Sequence, residues 1–189
     1  MGEKRGVRVA PTSKVKITKF AQDVRDSLGI ERPYICPVRI IEGLQHMGEL
    51  EVHVMEDGSP ELYGKEAETF PDRQCMRIKQ SVYDAAYSGD GRARFTIAHE
   101  IGHLYMHKGM QGYARGHQET THKSYEDSEW QADFFAAELL MDSRYILPGW
   151  SEDDIQKVFV VSRKAAEIKY NKQRGNGFNP WGGNTPRTR

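Results

Sequence analysis

Two histidines four positions apart, His99 and His103, with Glu100 directly after the first, restrict the fold of this chain more than any other feature. On an α-helix this spacing places both imidazoles on one face, about 6 Å apart along the axis. Two imidazoles so placed can bind one metal ion, and a carboxylate beside them can take a proton from a water on that ion. The segment therefore predicts a helix to which the fold must bring further ligands.

The residues around this motif predict a buried helix from about Arg92 to His107. Its apolar side chains point in nearly every direction: Phe95, Ile97, Ala98, Ile101, Leu104 and Tyr105. A helix that is apolar on all sides is buried. A single buried histidine can be satisfied by a backbone carbonyl, but two at ligand spacing beside a carboxylate favour a metal site.

A catalytic zinc site needs a third protein ligand and keeps a fourth position for water. The extended metzincin pattern requires glycine at 106 and histidine at 109, whereas this chain has Met106 and Gly109, so that class is excluded. His107 lies about 12 Å from His99 along the helix axis, too far to bind the same metal comfortably. We expect His107 to cap the helix or to support a ligand.

A second helix, predicted from Ser128 to Met141, carries better candidates for the third ligand. Glu129 and Asp133 are four residues apart on this largely apolar helix, so each needs a partner if it is buried. A metal on Glu129, and a ligand histidine held by Asp133, would supply both partners. Alternatively, this end of the helix is exposed and both carboxylates lie in water. Weaker alternatives for the third ligand are Glu126, His117 and His122.

The rest of the chain predicts an α+β fold. Helices are expected at residues 14–28, 37–48 and 151–170, strands at 50–54, 62–63 and 76–80, and a long loop at 109–125. The strands would form a small mixed or antiparallel sheet packed with the motif helix and further helices. We expect a single domain over residues 13–172, a flexible arm over 1–12 and a disordered tail over 173–189.

Composition narrows the choice of partners. The chain has 27 basic and 27 acidic residues, so no net charge attracts a nucleic acid. Pro33 and Pro37 in the long linker between the first two helices argue against a helix-turn-helix.

Cys36 and Cys75 form no Cys-x-x-Cys pair, and we expect buried thiols. Because no signal core and no membrane-length apolar stretch is present, we expect a cytoplasmic protein without a membrane partner.

The segment from Arg94 to His103, the later His107, and the helix that continues from Glu129 and Asp133 into Phe-Ala-Ala-Glu-Leu-Leu-Met resemble the ImmA/IrrE family of metallopeptidases. The resemblance covers roughly residues 50–170. It implies a minimal zincin-like fold and Glu129 as the third zinc ligand. It also implies a role in cleaving repressors of mobile elements or of stress regulons. Asp142 departs from the family, in which many members carry proline after the Leu-Leu-Met.

These features predict a zinc-dependent endopeptidase that acts on a protein or peptide, such as a repressor or another regulator. Zn²⁺ on His99, His103 and Glu129 would lower the pKa of a bound water to about 7. Glu100 would accept the proton of that water and pass it to the leaving amine. Candidates for stabilising the oxyanion are Tyr125, His122 and Arg94. The strand at 76–80 is either structural or an edge to which an extended substrate could add.

The main alternative is a regulatory or binding module that keeps the zinc without proteolysis and contacts a repressor, a toxin partner or DNA. Glu100 argues against this alternative, because a purely structural zinc site needs no general base and usually closes its fourth position.

Overall fold

The computed structural model describes residues 6–110 and 122–175, which form an α+β fold. In this part of the chain the helices are α1 (Lys14–Ser27), α2 (Pro37–His46), α3 (Gln80–Tyr87), α4 (Gly91–Met106), α5 (Ser128–Leu140), α6 (Glu152–Phe159) and α7 (Arg163–Gly175). The strands are β1 (Glu51–Met55), β2 (Ala67–Phe70) and β3 (Cys75–Lys79). The predicted fold class is confirmed. None of the helices described is long and apolar enough to cross a membrane.

The sheet is mixed, with β3 in the centre, parallel to β1 and antiparallel to β2. The predicted strand at Leu62–Tyr63 is wrong. Pro60 opens a short 3-10 helix there, Pro60–Leu62, and Leu62 is fully buried. The antiparallel partner of β3 lies later, at β2. Since both edges of β3 are paired, the strand predicted at 76–80 cannot receive a substrate strand, and its structural interpretation is the correct one.

The two helices that carry the predicted metal ligands both begin at an aspartate cap. The side chain of Asp90 accepts hydrogen bonds from the backbone N–H groups of Arg92 (3.0 Å) and Ala93 (2.8 Å) at the start of α4. Asp127 accepts one from the Trp130 N–H (3.0 Å) at the start of α5. Each such cap stabilises its helix by about 1 kcal/mol. The caps therefore fix where both helices start, and so which residues face each other.

The helix predicted from Ser151 to Tyr170 is two helices, α6 and α7, and a buried side chain of α4 contacts the backbone where α6 ends. Arg94 of α4 is fully buried, and its guanidinium donates hydrogen bonds to the carbonyls of Phe159 (3.0 Å), Val160 and Ile35. Val160 takes the left-handed conformation, with φ of 52°, and ends α6. The carbonyls of Phe159 and Val160 lie at the C-terminal end of α6, where a helix leaves its carbonyls without partners, and the guanidinium satisfies them; α7 starts at Arg163.

Residues 6–12 differ from the flexible arm expected over 1–12, because they are held against the region before α5. The Val9 N–H donates to the Glu126 carbonyl (2.8 Å), and the Thr12 N–H donates to the Tyr125 carbonyl (3.0 Å). The side chain of Val9 is buried. At the other end of the chain, residues 173–175 belong to α7. The remainder of the expected arm (1–5) and tail (176–189), and residues 111–121 of the expected loop, lie outside the described residues.

Candidate metal centre

Three potential ligand atoms converge between α4 and α5. The Nε2 atoms of His99 and His103 are 2.9 Å apart. Glu129 faces them from α5, with Oε2 3.2 Å from the His99 Nε2 and Oε1 3.4 Å from the His103 Nε2. A tetrahedral zinc ion with bonds of about 2.0–2.1 Å separates neighbouring ligand atoms by roughly 3.3 Å. The donor set and its spacing therefore fit a metal ion.

The close approach of α5 to α4 depends on Gly102, which lies within the histidine motif. A Cβ atom on Gly102 would lie 3.1 Å from the Phe135 Cδ1 and 3.2 Å from the Cα of Ala132. These distances are tighter than ordinary van der Waals contact, so any side chain at this position would push the helices apart. Glycine here allows Glu129, one turn before Ala132, to reach the two histidines.

Asp133 contacts the ring nitrogen of His99 that does not face Glu129: the Asp133 Oδ1 lies 2.7 Å from the His99 Nδ1. A histidine that donates its Nδ1–H to a carboxylate presents Nε2 as the free lone pair, as a metal ligand requires. Burial by itself would lower the pKa of His99, but the hydrogen bonds to Asp133 and Glu129 and the charge of Glu100 raise it to about 10. The surroundings of His99 therefore favour positive charge.

The carboxylate of Glu129 is stabilised as an anion. Burial alone would raise its pKa, but hydrogen bonds from His103 and His99 outweigh burial and hold the pKa far below its usual range. With Asp133 and Glu100 nearby, the cluster contains more carboxylates than a single protonated histidine can neutralise. Such a negative site attracts a divalent cation.

His103 is supported by a second chain of polar contacts. Its Nδ1 lies 2.9 Å from the Nδ1 of His107, and the His107 Nε2 lies 3.3 Å from the Oε1 of Gln131. Burial, together with the neighbouring His103, lowers the pKa of His107 to about 4, so this ring is neutral at pH 7. Consistent with expectation, His107 also caps α4, its N–H donating to the His103 carbonyl (3.1 Å).

In the hydrogen-bonded series His103–His107–Gln131, one arrangement of the protons leaves the His103 Nε2 free for a metal. The His103 Nδ1–H then donates to the Nδ1 of His107, and the His107 Nε2–H donates to the Oε1 of Gln131. The Gln131 amide nitrogen in turn donates to the carbonyls of Ala10 and Tyr125, both at 2.9 Å. Gln131, which sequence analysis did not identify, thus completes the support of His103.

Glu100 lies in a cleft of about 620 Å³ beside the ligand atoms. Its side chain is mostly buried, and its backbone carbonyl accepts a hydrogen bond from the Thr69 hydroxyl of β2 (3.3 Å). The segment from Gly64 to Phe70 forms one wall of the cleft, and Gly6 and Val7 also line it. The arrangement places a carboxylate and a candidate metal centre in one open groove.

The other sequence candidates point elsewhere. Glu126 pairs with Arg8 (3.1 Å), and the His122 Nε2 lies 2.6 Å from Asp127. His117 lies outside the described residues. As oxyanion donor, Arg94 is wrong, because it is buried against backbone carbonyls away from the cleft. Neither His122 nor Tyr125 is among the described residues that line the cleft.

A protein-family model described as the IrrE N-terminal-like domain, Peptidase_M78, matches residues 50–171. The match covers α4 and α5, and with them the three converging side chains, Glu100 and Asp133. It leaves α1, α2 and residues 6–12 outside. None of the curated proteins compared with the chain matches it.

Proposed function

The chain belongs to the family of the IrrE N-terminal-like domain, and from this premise we propose that it is a zinc-dependent endopeptidase. One observation carries the proposal: the ligand atoms of His99, His103 and Glu129 converge in the cleft that also contains Glu100. A binding site alone would not require a carboxylate next to the ligands.

The choice of zinc rests on the donor set. Two imidazole nitrogens and one carboxylate oxygen form the three-ligand set of several catalytic zinc sites, which leave a fourth position for water. When bound, zinc polarises the substrate carbonyl and lowers the pKa of water at the site to about 7. Asp133 holds His99, and His107 holds His103, each in the ring orientation that a ligand needs.

Glu100 is the residue to which we assign proton transfer. A carboxylate oxygen of Glu100 accepts a proton from the attacking water while the oxygen of that water bonds to the carbonyl carbon of the peptide. The same carboxyl then passes this proton to the amide nitrogen as the C–N bond breaks. The second proton of the water leaves the new carboxyl group and is taken up by the amine, so the products are one carboxylate and one ammonium group, and Glu100 returns to its starting carboxylate.

The substrate that fits the cleft is an extended stretch of polypeptide. β2 pairs with β3 on one side, and within the described residues no strand pairs with its other side. An extended segment can add to such an edge through main-chain hydrogen bonds, which would lay its backbone along the cleft past Glu100. We propose a regulatory protein, such as a repressor, as the first substrate class to test, and no membrane or nucleic-acid partner.

The test couples metal analysis to cleavage. Wild type, Glu100→Gln and His99→Ala are compared for zinc content and for cleavage of reduced casein and of a candidate repressor encoded beside this gene. We expect wild type to bind one zinc and cleave, Glu100→Gln to bind zinc without cleaving, and His99→Ala to do neither. Cleavage by Glu100→Gln at the wild-type rate would refute the assignment of Glu100.

The zinc-retaining binding module is the alternative outcome of the same experiment. Wild-type protein that binds zinc but cleaves neither substrate, and that forms a stable complex with the repressor, would favour that module over the peptidase.

A further inference from the structure

Residues 6–12 lie outside the region that the family model matches. They nevertheless contact Glu129 and the start of its helix, and they contact Gln131, which supports His103 through His107. We propose that this segment, Gly6–Thr12, is a positioning element of the metal centre that sets the side chain of Glu129 and the ring of His103. The inference rests on the proposed metal site, but it concerns metal binding and does not depend on cleavage.

The first contact is with the start of α5. The Gly6 N–H donates to the Asp127 Oδ2 (2.9 Å), and the Val7 N–H donates to the Ser128 Oγ (3.1 Å). The Ser128 N–H donates back to the Val7 carbonyl (3.1 Å). Asp127 is the cap of α5, so one carboxylate joins the segment to the helix start. Glu129 is the next residue along the helix after Ser128.

Gly6 also packs directly on the ligand residue. A Cβ atom on Gly6 would lie 2.7 Å from the Glu129 Cγ, 2.8 Å from its backbone nitrogen, and 2.3 Å from the Ser128 Oγ. Only glycine leaves room for the segment at this distance. The side chain of Glu129 is 42% exposed, so α5 alone leaves it several rotamers. The backbone at Gly6 occupies space beside the Glu129 Cγ and so removes some of that freedom.

The second contact reaches the other ligand. The Ala10 carbonyl accepts a hydrogen bond from the Gln131 amide (2.9 Å), whose Oε1 faces the Nε2 of His107. His107 in turn faces the Nδ1 of His103. The amide of Gln131 must present its oxygen to His107, because its NH₂ group is committed to Ala10 and Tyr125. The Ala10 carbonyl therefore helps to fix the orientation on which the tautomer of His103 depends.

These two contacts distinguish positioning from general stabilisation. A segment that only covered apolar surface could be replaced by any chain of similar hydrophobicity. Here the same seven-residue segment meets a ligand side chain at one end and the hydrogen-bond chain of another ligand at the other end. The geometry requires glycine at position 6, and it requires the backbone at position 10 to place its carbonyl beside the Gln131 amide.

The experiment adds one methyl group at Gly6 and compares it with the same change where space is open. Gly6→Ala is the test variant, and Gly58→Ala is the control, since a Cβ on Gly58 would meet nothing within 4 Å. A second variant, Gln131→Met, removes the Ala10 contact together with the acceptor for His107, and it is the reference for a site in which His103 has lost its support. Each full-length protein is assayed for zinc affinity by chelator competition, for the visible spectrum of its Co²⁺ form, and for the melting temperature of the metal-free protein.

We expect Gly6→Ala and Gln131→Met to weaken zinc binding by about tenfold or more, the loss typical of mutating a residue that supports a metal ligand. Their Co²⁺ spectra at saturation should differ from wild type, whereas Gly58→Ala should match it. Wild-type zinc affinity in Gly6→Ala would overturn the inference, whatever the result for Gln131→Met. It would also be overturned by wild-type Co²⁺ spectra in variants that merely melt earlier. Wild-type protein that binds no zinc would instead refute the proposed function.

Discussion

Gly102 of α4 and Ala132 of α5 pack backbone against backbone, since a Cβ atom on Gly102 would lie 3.2 Å from both the Cα and the carbonyl oxygen of Ala132. The candidate metal centre is built across this contact, with the two histidines on one helix and Glu129 on the other. The distance between the helices therefore determines whether the three ligand atoms can share one ion.

Gly102→Ala should separate the two helices by a few tenths of an ångström and weaken zinc binding by about tenfold. Overpacking strain and the better helix propensity of alanine oppose each other, so we expect the free energy of unfolding to fall by no more than about 2 kcal/mol. Gly43→Ala is the matched control, because Gly43 lies in α2 with open space around it. Calorimetric zinc titration and urea denaturation measure both quantities. Undiminished zinc affinity in Gly102→Ala would show that the helix spacing does not control the site.

Asp133→Ala should weaken zinc binding by about 10- to 100-fold, because the Nδ1–H of His99 loses its acceptor. The metal-free protein should lose at most about 1 kcal/mol of stability, since the side chain of Asp133 is 59% exposed and the pair is solvent-screened. Asp133→Asn provides the comparison: its amide oxygen can still accept from His99, so it should retain part of the affinity. Equal zinc affinity in wild type, Asp133→Ala and Asp133→Asn would show that Asp133 does not support the metal centre.

Asp142→Asn should destabilise the protein in a pH-dependent way. The Asp142 carboxylate is fully buried and is contacted by Gln22 (3.2 Å), Arg144 (2.8 Å) and Arg25 (3.4 Å). Burial alone would raise the pKa of Asp142, but the hydrogen bonds from Arg144 lower it below 3.8. Replacing one partner of such a buried charge cluster costs about 3 kcal/mol.

The sign of the pH dependence follows from the lowered pKa. Stability from the Asp142 carboxylate is fully present above the pKa of the unfolded chain, about 3.8. It is lost as the pH falls through the lower pKa of the folded state. The difference in unfolding free energy between wild type and Asp142→Asn should thus stay constant from about pH 5 to 8 and shrink below about pH 4. A difference that persists unchanged at pH 2 would contradict this account.

The sequence predicts the two helices of the site well, because their signals are local. The spacing of His99 and His103, and that of Glu129 and Asp133, follows the helical period, and the apolar residues between them mark buried faces. The same local patterns predict β1 and β3, but they place the remaining strand at 62–63 and not at β2, and they leave the sheet either mixed or antiparallel. Glu129 and Asp133 have the predicted histidine partners, although this end of the helix is partly exposed, with Asp133 59% and Glu129 42% accessible.

Features set by distant contacts could not be predicted. Nothing in residues 151–170 indicates that α6 ends at Val160, where the guanidinium of Arg94 binds its last carbonyls. Likewise, the polar and basic residues of the first twelve positions indicate a free arm, and only the fold brings Gly6 to Asp127, more than a hundred residues later. The central position of β3 is also a property of strand order, which alternation of side chains does not encode.

Arg25 of α1 lies before the family region, but its guanidinium donates to the Leu139 carbonyl (2.8 Å) and pairs with Asp142, both inside that region. Cutting the chain at residue 50 would remove the donor to the Leu139 carbonyl, would leave Asp142 with Arg144 but without Arg25, and would uncover the face of α5 on which α1 packs. The boundary of the matched family region at residue 50 therefore falls within one hydrophobic core, to which α1 and α2 contribute together with α4 and α5. We expect residues 50–171 alone to be less stable than the longer chain, because that core would lose the side chains of α1 and α2.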